Sequence, residues 1–155
     1  AAVSELYKGK TIMLCETAST RIDLLDKAKK LFSQLEMNIR EMDPVEHDKH
    51  IAYVSHLSHI TSFMLGKTVL EKETDEQNIF DMAGSGFAST VRLSKSSPEM
   101  WMPIFAQNKR NVLETLTEYI SNLNAFKDKL AADAHEELLA EMKEINKIKS
   151  ILEHK

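Results

Sequence analysis

Residues 43–59 read DPVEHDKHIAYVSHLSH and open with the signals that start a helix. Asp43 is the predicted N-cap, Pro44 suits the first helical position, and Glu46 is placed to complete a capping box. We therefore predict a helix from about Pro44 towards Gly66. The chain that follows is also predicted to be almost wholly helical, so this helix begins the part of the fold that dominates the molecule.

The same helix contains four of the six histidines in the chain. At about 100° per residue, one side of it carries small and hydrogen-bonding groups, with His56 at the border. This polar side comprises Asp48, Ala52, Ser55, His59 and Phe63. The opposite side is apolar and is expected to pack against the protein. It comprises Tyr53, Val54, Leu57, Ile60, Met64 and Leu65.

The polar side is a candidate binding site. Burying an unsatisfied polar group costs roughly 1 to 3 kcal/mol, so this side should meet protein groups, water or a ligand. The alternative is that these histidines have a structural role and form a polar core whose hydrogen bonds are satisfied within the protein. A metal site is not predicted, because no HExxH pattern is present and the single cysteine, Cys15, lies far away in the sequence.

Composition argues against several classes of protein. With 155 residues, 43% of them hydrophobic and 28% charged, the chain is typical of a soluble globular protein. It shows no apolar run of about 18 residues and no secretion leader, so no membrane partner is expected. A net charge of −4 argues against a nucleic-acid partner, which requires a basic stripe. One cysteine excludes an internal disulfide, and these features together favour a cytoplasmic protein.

The first 43 residues predict a β-α-β unit. An apolar strand is expected within 10–16, a helix over 20–36 and a second strand over 37–42. The two strands would be parallel, and a two-stranded parallel sheet is not a self-sufficient structure. Residues 1–43 are therefore expected to be the last piece of an α/β domain.

Residues 44–155 are expected to form a helical domain. After the first helix comes an acidic, polar connection over 71–78, and Ser97 with Pro98 then predicts a new helix start. A long helix should run from Ile104 to about Lys129, and a last one over about 133–153. The last helix carries an apolar stripe, which we call the C-terminal stripe. It comprises Leu138, Met142, Ile145, Ile148 and Leu152. Such a pair of helices suits a helical hairpin or a dimer seam.

Two features between these helices bear on ligand binding. The segment Gly84-Ser85-Gly86-Phe87 has no preceding strand and lacks a third glycine, so it fails as a dinucleotide fingerprint. It predicts a tight loop in which glycine permits positive φ or close backbone approach. Arg92 could clamp a carboxylate with its bidentate guanidinium, or equally form an intramolecular salt bridge. The chain alone is not expected to bind a dinucleotide fully.

Four pieces of this sequence, in this order, resemble the carboxy-terminal half of prephenate dehydrogenases over roughly residues 40–130. They are His47-Asp48, the run SHLSH at 55–59, Gly84–Phe87 followed by Arg92, and Ser97–Trp101 with Asn108. The family joins an N-terminal dinucleotide-binding domain to an all-helical domain that forms the dimer. It oxidatively decarboxylates prephenate to 4-hydroxyphenylpyruvate in tyrosine biosynthesis.

The resemblance implies a fold class and a division into domains. The fold would be mainly α, with a helical dimerisation domain preceded by a short β-α-β remnant of a truncated Rossmann-type domain. Residues 1–43 would be the remnant of the dinucleotide-binding domain, and residues 44–155 the substrate-binding and dimerisation domain.

Family roles carry over only where a motif stands. The resemblance implies that Ser55, His56 and His59 line the prephenate pocket and that Arg92 anchors a substrate carboxylate. It places Trp101 near the pocket and His47 in a His-Asp pair. Three departures concern local loop contacts and specificity. Ser58 stands where the family usually has proline, and Ala88 and Ser89 replace a commonly charged pair.

In the family, the catalytic histidine and the glycine fingerprint belong to motifs that would lie upstream of residue 1. The resemblance therefore implies that the parent enzyme uses NAD or NADP and is a homodimer through its helical domain. This chain would supply substrate-binding groups, no catalytic residue and no turnover by itself. The alternatives are an arogenate or cyclohexadienyl dehydrogenase and a purely structural helical dimerisation module.

Overall fold

A computed structural model describes residues 5–76 and 78–153 of the chain. The predicted fold class is confirmed, because helices dominate and the described strands form only a two-stranded parallel sheet. The chain divides into two compact units, the first extending to Asn111 and the second beginning at Val112. The domain boundary after residue 43 stays a prediction, and residues 1–4 of the first predicted domain lie outside the described residues.

The N-terminal part is the predicted β-α-β unit. Strand β1 (Thr11–Leu14) is followed by helix α1 (Ile22–Gln34) and strand β2 (Asn38–Glu41). The strands are parallel, with Thr11 opposite Asn38 and Leu14 opposite Glu41. No residue of either strand is buried, whereas parallel sheets are normally covered on both faces.

A single long helical segment, residues 44–76, follows the sheet, and we call it the histidine helix. It consists of α2 (Pro44–Ile51), a π-helical turn (Ala52–His56) and α3 (Leu57–Glu76). The predicted N-cap is confirmed, because the Asp43 carboxylate accepts hydrogen bonds from the backbone N–H groups of Val45 and Glu46.

The predicted end near Gly66 and the polar connection over 71–78 are wrong for residues 67–76, which are helical. The reason lies in side-chain pairs four residues apart, Lys67 with Glu71 and Lys72 with Glu76, which stabilise a helix in spite of its polarity. Gln77 lies outside the described residues. The Glu73 carboxylate accepts hydrogen bonds from the backbone N–H groups that follow, including that of Ile79 at 2.6 Å.

The histidine helix is buried most deeply on the predicted polar side, whereas Leu57, Ile60 and Leu65 of the predicted apolar side are half-buried. Its buried residues are Ala52, His56 and Ser62, whereas Val54 is 73% exposed and Met64 is 50% exposed. The expectation that the apolar side packs within this chain is therefore wrong at those two positions. Periodicity identified the two sides, but the later segments around Ser94 and Trp101 lie against the polar one.

The glycine segment is also different from its prediction. Gly84 is in an extended conformation (φ −87°, ψ −174°) and is the N-cap of helix α4 (Ser85–Thr90), which contains Gly86. Neither glycine has positive φ, and no neighbouring atom lies within 4 Å of a Cβ placed on either one. The predicted tight loop is wrong, because glycine is acceptable as an N-cap without any special φ.

A short 3₁₀ turn (Phe80–Met82) precedes α4, and a second one (Arg92–Lys95) leads to α5 (Pro98–Gln107). The predicted start of α5 is confirmed, since Ser97 Oγ accepts a hydrogen bond from the N–H of Met100 and Pro98 is at the first position. The predicted continuous helix from Ile104 is interrupted at Asn108, and α6 runs over Lys109–Ala131.

The second unit contains most of α6, followed by α7 (His135–Ile145) and α8 (Ile148–Glu153). The last predicted helix is therefore two helices separated by a turn at Asn146 and Lys147. Lys129 Nζ forms an ion pair with Glu141 at 2.5 Å. Of the C-terminal stripe, only Leu138 is buried, and the other four side chains are 46–61% exposed.

Candidate functional site

The π-helical turn at Ala52–His56 interrupts the α-helical hydrogen bonding at the centre of the histidine helix. Such turns are rare and occur frequently at functional sites. This one contains Ser55 and His56, two of the residues implicated by the sequence. The backbone at the candidate site therefore departs from a plain α-helix where the candidate side chains begin.

His56 is 6% exposed and is surrounded by aromatic rings. It meets Trp101 and Phe105 in edge-on arrangements, with ring centroids 6.1 and 6.2 Å apart. Its Nδ1 lies 3.3 Å from the side-chain nitrogen of Asn108. Burial is the main cause that lowers the pKa of His56 below its ordinary value of 6.5, and the nearby carboxylate of Asp48 opposes it. The imidazole is therefore neutral at pH 7.

His59 lies one turn further along and stacks on Trp101. The two ring centroids are 3.6 Å apart with an interplanar angle of 27°. His59 Nδ1 donates to the backbone carbonyl of Ser55 at 2.9 Å, because a carbonyl oxygen can only accept. In the neutral ring the other nitrogen, Nε2, is then an acceptor. We call His56, His59, Trp101, Phe105 and Asn108 the histidine–tryptophan cluster.

Trp101 is the buried centre of this cluster, with 7% of its surface exposed. Its Nε1 is the only buried side-chain nitrogen or oxygen in the described residues that has no hydrogen-bond partner. The ring also contacts Phe105, at a centroid distance of 5.4 Å. Packing against three rings, those of His56, His59 and Phe105, therefore holds the indole in place without any contribution from its polar atom.

Arg92 is connected to the histidine helix through the backbone on both sides of it. Ser62, which is 2% exposed, donates to the carbonyl of Thr90 at 3.1 Å and accepts from the N–H of Ser94 at 3.0 Å. The Arg92 side chain itself is exposed, and it forms no ion pair or hydrogen bond with any described residue. The salt bridge considered from the sequence is thus absent from the described part of the chain, and the guanidinium can accept an anion.

Only some of the predicted site residues are in direct contact with one another in the structure. His56, His59 and Trp101 are in direct contact, and Ser55 contributes its carbonyl group to His59. His47 pairs with the neighbouring Asp48 at 3.1 Å near the surface, and both residues act electrostatically on His56. Among the described residues, no hydrogen bond or ion pair joins Arg92 to the cluster, but Ser62, which fixes its backbone, is three residues after His59.

Two residues of the site had no role predicted from the sequence. Asn108 belonged to the motif, but only the structure shows that it joins the backbone of Asp48 to His56. Ser62 gave a weak signal, as a small polar residue next to the polar side of a helix. Its partners lie 28 and 32 residues away, beyond the reach of periodicity.

A groove of about 570 Å³ lies beside the cluster, between α3 and α5. Its walls are mostly apolar, including Ile60, Phe63, Leu70 and Met102, and Trp101 separates it from His59. None of the predicted polar site residues lines this groove. It is therefore a distinct feature from the polar contacts of the histidines.

The turn after β1 does not suit the pyrophosphate of a dinucleotide. Residues 15–21, which connect β1 to α1, contain no glycine, and Glu16 adopts positive φ (54°) there with an acidic side chain. A pyrophosphate is usually held by close approach of glycine backbone at the start of a helix. The residues present do not fit this group, so no step of chemistry is assigned to a cofactor on this chain.

Two kinds of feature are absent from the described residues, a cluster of metal ligands and a membrane-spanning helix. No group of three or more His, Cys, Asp or Glu side chains is arranged to hold a metal ion there. Within residues 5–76 and 78–153, no helix combines the length and the apolar character needed to cross a bilayer.

Comparison with known proteins gives several matches. A family model described as "Prephenate dehydrogenase, dimerization domain" matches residues 43–144. The prephenate dehydrogenase of Bacillus subtilis (strain 168) is 27% identical over 124 residues, which cover 80% of this chain and 33% of that protein. The cyclohexadienyl dehydrogenase of Zymomonas mobilis is 24% identical over 153 residues, which cover 98% of this chain and 52% of that protein. The chain thus spans between a third and about half of the length of these relatives.

The fold is also similar to that of a solved enzyme. Prephenate dehydrogenase from A. aeolicus, in complex with hydroxyphenyl propionate and NAD+, aligns with a TM-score of 0.86 and 34% sequence identity. The alignment covers 96% of this chain and 52% of that one. The motifs from His47-Asp48 to Asn108 all fall within the matched residues 43–144. The resemblance noted from the sequence is confirmed, and the chain belongs to the prephenate dehydrogenase family.

Proposed function

We propose that this chain is the substrate-binding and dimer-forming part of an NAD(P)-dependent prephenate dehydrogenase of the tyrosine pathway. One observation carries the proposal. Arg92 presents an exposed guanidinium that has no ion pair or hydrogen bond among the described residues. Its backbone is tied to the histidine helix by Ser62, which lies three residues after His59. A positive charge placed in this way suits a substrate that carries carboxylates.

The reaction defines what such groups must do. Prephenate loses its ring carboxylate as CO₂ and a hydride to NAD(P), and the ring becomes the phenol of 4-hydroxyphenylpyruvate. The side-chain carboxylate is retained throughout. Arg92 would hold that retained carboxylate through two parallel N–H···O hydrogen bonds. Such a contact orients the substrate without hindering the departure of CO₂.

The two histidines would orient the polar atoms of the substrate without adding charge. His56 is buried and neutral, and the Nδ1 of His59 is committed to the Ser55 carbonyl. Their remaining nitrogens are available to a substrate oxygen or hydroxyl group. The base and the dinucleotide would belong to the remainder of a longer enzyme, so the chain by itself is expected to produce no NADH from prephenate.

We also propose that the helical part forms a homodimer. The matched family model describes a dimerization domain. In the second unit, four apolar side chains are each 57–61% exposed, namely Ile145, Ile148, Ile151 and Leu152. The last three lie at i, i+3 and i+4 on one side of α8, and exposed apolar patches are typical of interaction surfaces. Mixing tagged and untagged chains at micromolar concentration should give co-purification, and a monomer under those conditions would contradict the proposal.

Substrate binding can be tested by titrating hydroxyphenyl propionate and 4-hydroxyphenylpyruvate into the chain while recording histidine side-chain NMR signals. Shifts are expected at His56 and His59. In Arg92→Ala the affinity should fall by roughly 10- to 100-fold, because a charge-assisted hydrogen bond contributes about 1.5 to 3 kcal/mol. Lys95→Ala is the matched control, since Lys95 is an exposed cation in the same 3₁₀ turn.

The outcomes separate this proposal from a purely structural module. A structural cluster predicts no histidine shift with either ligand, and it predicts equal behaviour of the Arg92 and Lys95 variants. The alternative is an arogenate or cyclohexadienyl dehydrogenase, and the match to a cyclohexadienyl dehydrogenase over 98% of the chain keeps it open. Arogenate has a carboxylate for Arg92 as well, but it carries an amino group where prephenate has a ketone. Competition between these two substrates in the full enzyme would decide between them.

A further inference from the structure

Asn108 lies between α5 and α6, in the interruption that the sequence did not predict. Its side-chain amide makes three contacts. The nitrogen Nδ2 lies 2.6 Å from the backbone carbonyl oxygen of Asp48 and 3.3 Å from Nδ1 of His56. The oxygen Oδ1 accepts a hydrogen bond from Nδ2 of Asn111 at 2.7 Å. All polar atoms of this amide therefore have partners.

The contact with Asp48 fixes which way the amide faces. A backbone carbonyl oxygen can only accept a hydrogen bond, so the atom beside it must be the NH₂ group of Asn108. The same NH₂ group has a second hydrogen, and it faces His56 Nδ1. Because both hydrogens of this group are donors, Nδ1 of His56 must present its lone pair.

We propose that Asn108 is a positioning residue that holds His56 as its neutral Nε2–H tautomer, so that His56 offers a hydrogen-bond donor to a carboxylate or carbonyl oxygen of the ligand. The tautomer is a property of this chain alone, and only the identity of the ligand rests on the function proposed above. An imidazole without such a partner can exchange its proton between the two nitrogens.

The surroundings of His56 make the amide important. The titratable groups that face it are Asp48 and His47 from α2 and His59 from α3, while α5 presents the uncharged rings of Trp101 and Phe105. Burial disfavours the imidazolium, in which both nitrogens would be donors. The neutral ring therefore carries its single proton on one of its two nitrogens, and the hydrogen bond from Asn108 selects this tautomer.

The direct test is the ¹⁵N NMR signature of the His56 ring in the unmodified chain at neutral pH, which distinguishes protonated from unprotonated nitrogens. The expected result is a protonated Nε2 and an unprotonated Nδ1. A protonated Nδ1 would overturn the proposal without any variant being made. This measurement needs no ligand, so its outcome is independent of whether the substrate has been identified correctly.

The variant N108D reverses the chemistry of the contact with almost no change of volume. The introduced carboxylate can only accept, so it should draw a proton onto His56 Nδ1 and raise the pKa of His56. Above that raised pKa the ring would carry its one proton on Nδ1, and Nε2 would no longer donate. Affinity for hydroxyphenyl propionate should then fall with rising pH in the variant, whereas the unmodified chain keeps its Nε2 donor.

The control N146D makes the same chemical change at an exposed asparagine of the second unit and should leave the signals of His56 unchanged. Circular dichroism would verify that N108D is folded. If N108D is folded and the tautomer and pKa of His56 match those of N146D, the proposal is wrong. If N108D does not fold, Asn108→Ser, whose hydroxyl can donate or accept, should leave His56 as a mixture of both tautomers, and a single unchanged tautomer would overturn the proposal. If the tautomer behaves as expected but no ligand binds at any pH, the proposed function fails and the role of Asn108 stands.

Discussion

The buried side of the histidine helix contains polar side chains, whereas the C-terminal stripe is apolar and mostly exposed. The helix turns His56 and Ser62 inward and leaves Val54 and Met64 in solvent, while the stripe leaves Ile145, Ile148 and Leu152 exposed. Most buried polar groups in proteins have partners, and here Asn108 supplies one to His56 while Thr90 and Ser94 supply those of Ser62. The exposed apolar side chains of the stripe are not covered by the described part of the chain. This difference is what the proposed roles predict, with a binding site on the polar side and a protein contact on the apolar surface.

The variant Trp101→Ala tests whether the polar side of the histidine helix is a core, and it is expected to have the largest effect. If the polar side is a true core, removing its central ring should lower the free energy of unfolding by roughly 3 to 5 kcal/mol. Urea denaturation monitored by circular dichroism measures the change. Met102→Ala is the matched control, since Met102 is the next residue and is 62% exposed. Equal stability of the two variants would mean that the aromatic cluster is not a core.

The C-terminal stripe is challenged by Ile148→Glu. Loss of an interfacial isoleucine should weaken dimerisation by roughly 10- to 100-fold, because burying such a side chain contributes about 1.5 to 3 kcal/mol. Sedimentation equilibrium would give the dissociation constant. Ser150→Glu adds the same charge to the same helix, at a position outside the stripe, and should have a much smaller effect. A dimer unaffected by Ile148→Glu would place the interface elsewhere.

The connection between the histidine helix and Arg92 can be tested with Ser62→Ala. The change leaves the N–H of Ser94 without its partner, so the free energy of unfolding should fall by roughly 1 to 3 kcal/mol. Ligand affinity should fall as well, because the backbone on both sides of Arg92 is released. Ser58→Ala removes only a hydrogen bond within the same helix, to the carbonyl of Val54. If both variants bind ligand equally well, Ser62 does not position Arg92.

The smallest expected effect concerns pH. Burial lowers the pKa of His56 in the folded chain below 6.5, so between that lowered pKa and 6.5 the unfolded chain binds more protons. Stability should therefore be highest above pH 6.5 and should decrease as the pH falls through this window. Urea denaturation at several pH values would measure the slope. His56→Gln should reduce it, while a variant of the exposed His135, His135→Gln, should not.

The sequence predicted those parts of the fold that depend on neighbouring residues. The caps at Asp43 and Ser97 and the parallel pairing of β1 and β2 follow from local spacing. The packing side of the histidine helix does not, because periodicity groups residues into sides without saying which side another element will cover. The π-helical turn and the interruption at Asn108 also escaped prediction, since no proline or glycine marks either one.

The sequence also identified only part of the candidate site. The family motif identified His56, His59 and Trp101, which the structure brings into contact. The supporting residues were found only from the structure, because Ser62 and Asn108 act on partners 28 to 60 residues away. Such contacts have no local pattern that a single sequence could display.

The stacking of His59 on Trp101 has a practical consequence, because Trp101 is the only tryptophan in the sequence. All indole fluorescence of this chain therefore originates at the candidate site. A molecule that displaces or charges the imidazole against that ring would alter the emission, so the protein carries its own optical reporter. Screening for ligands would require neither a label nor a completed enzyme.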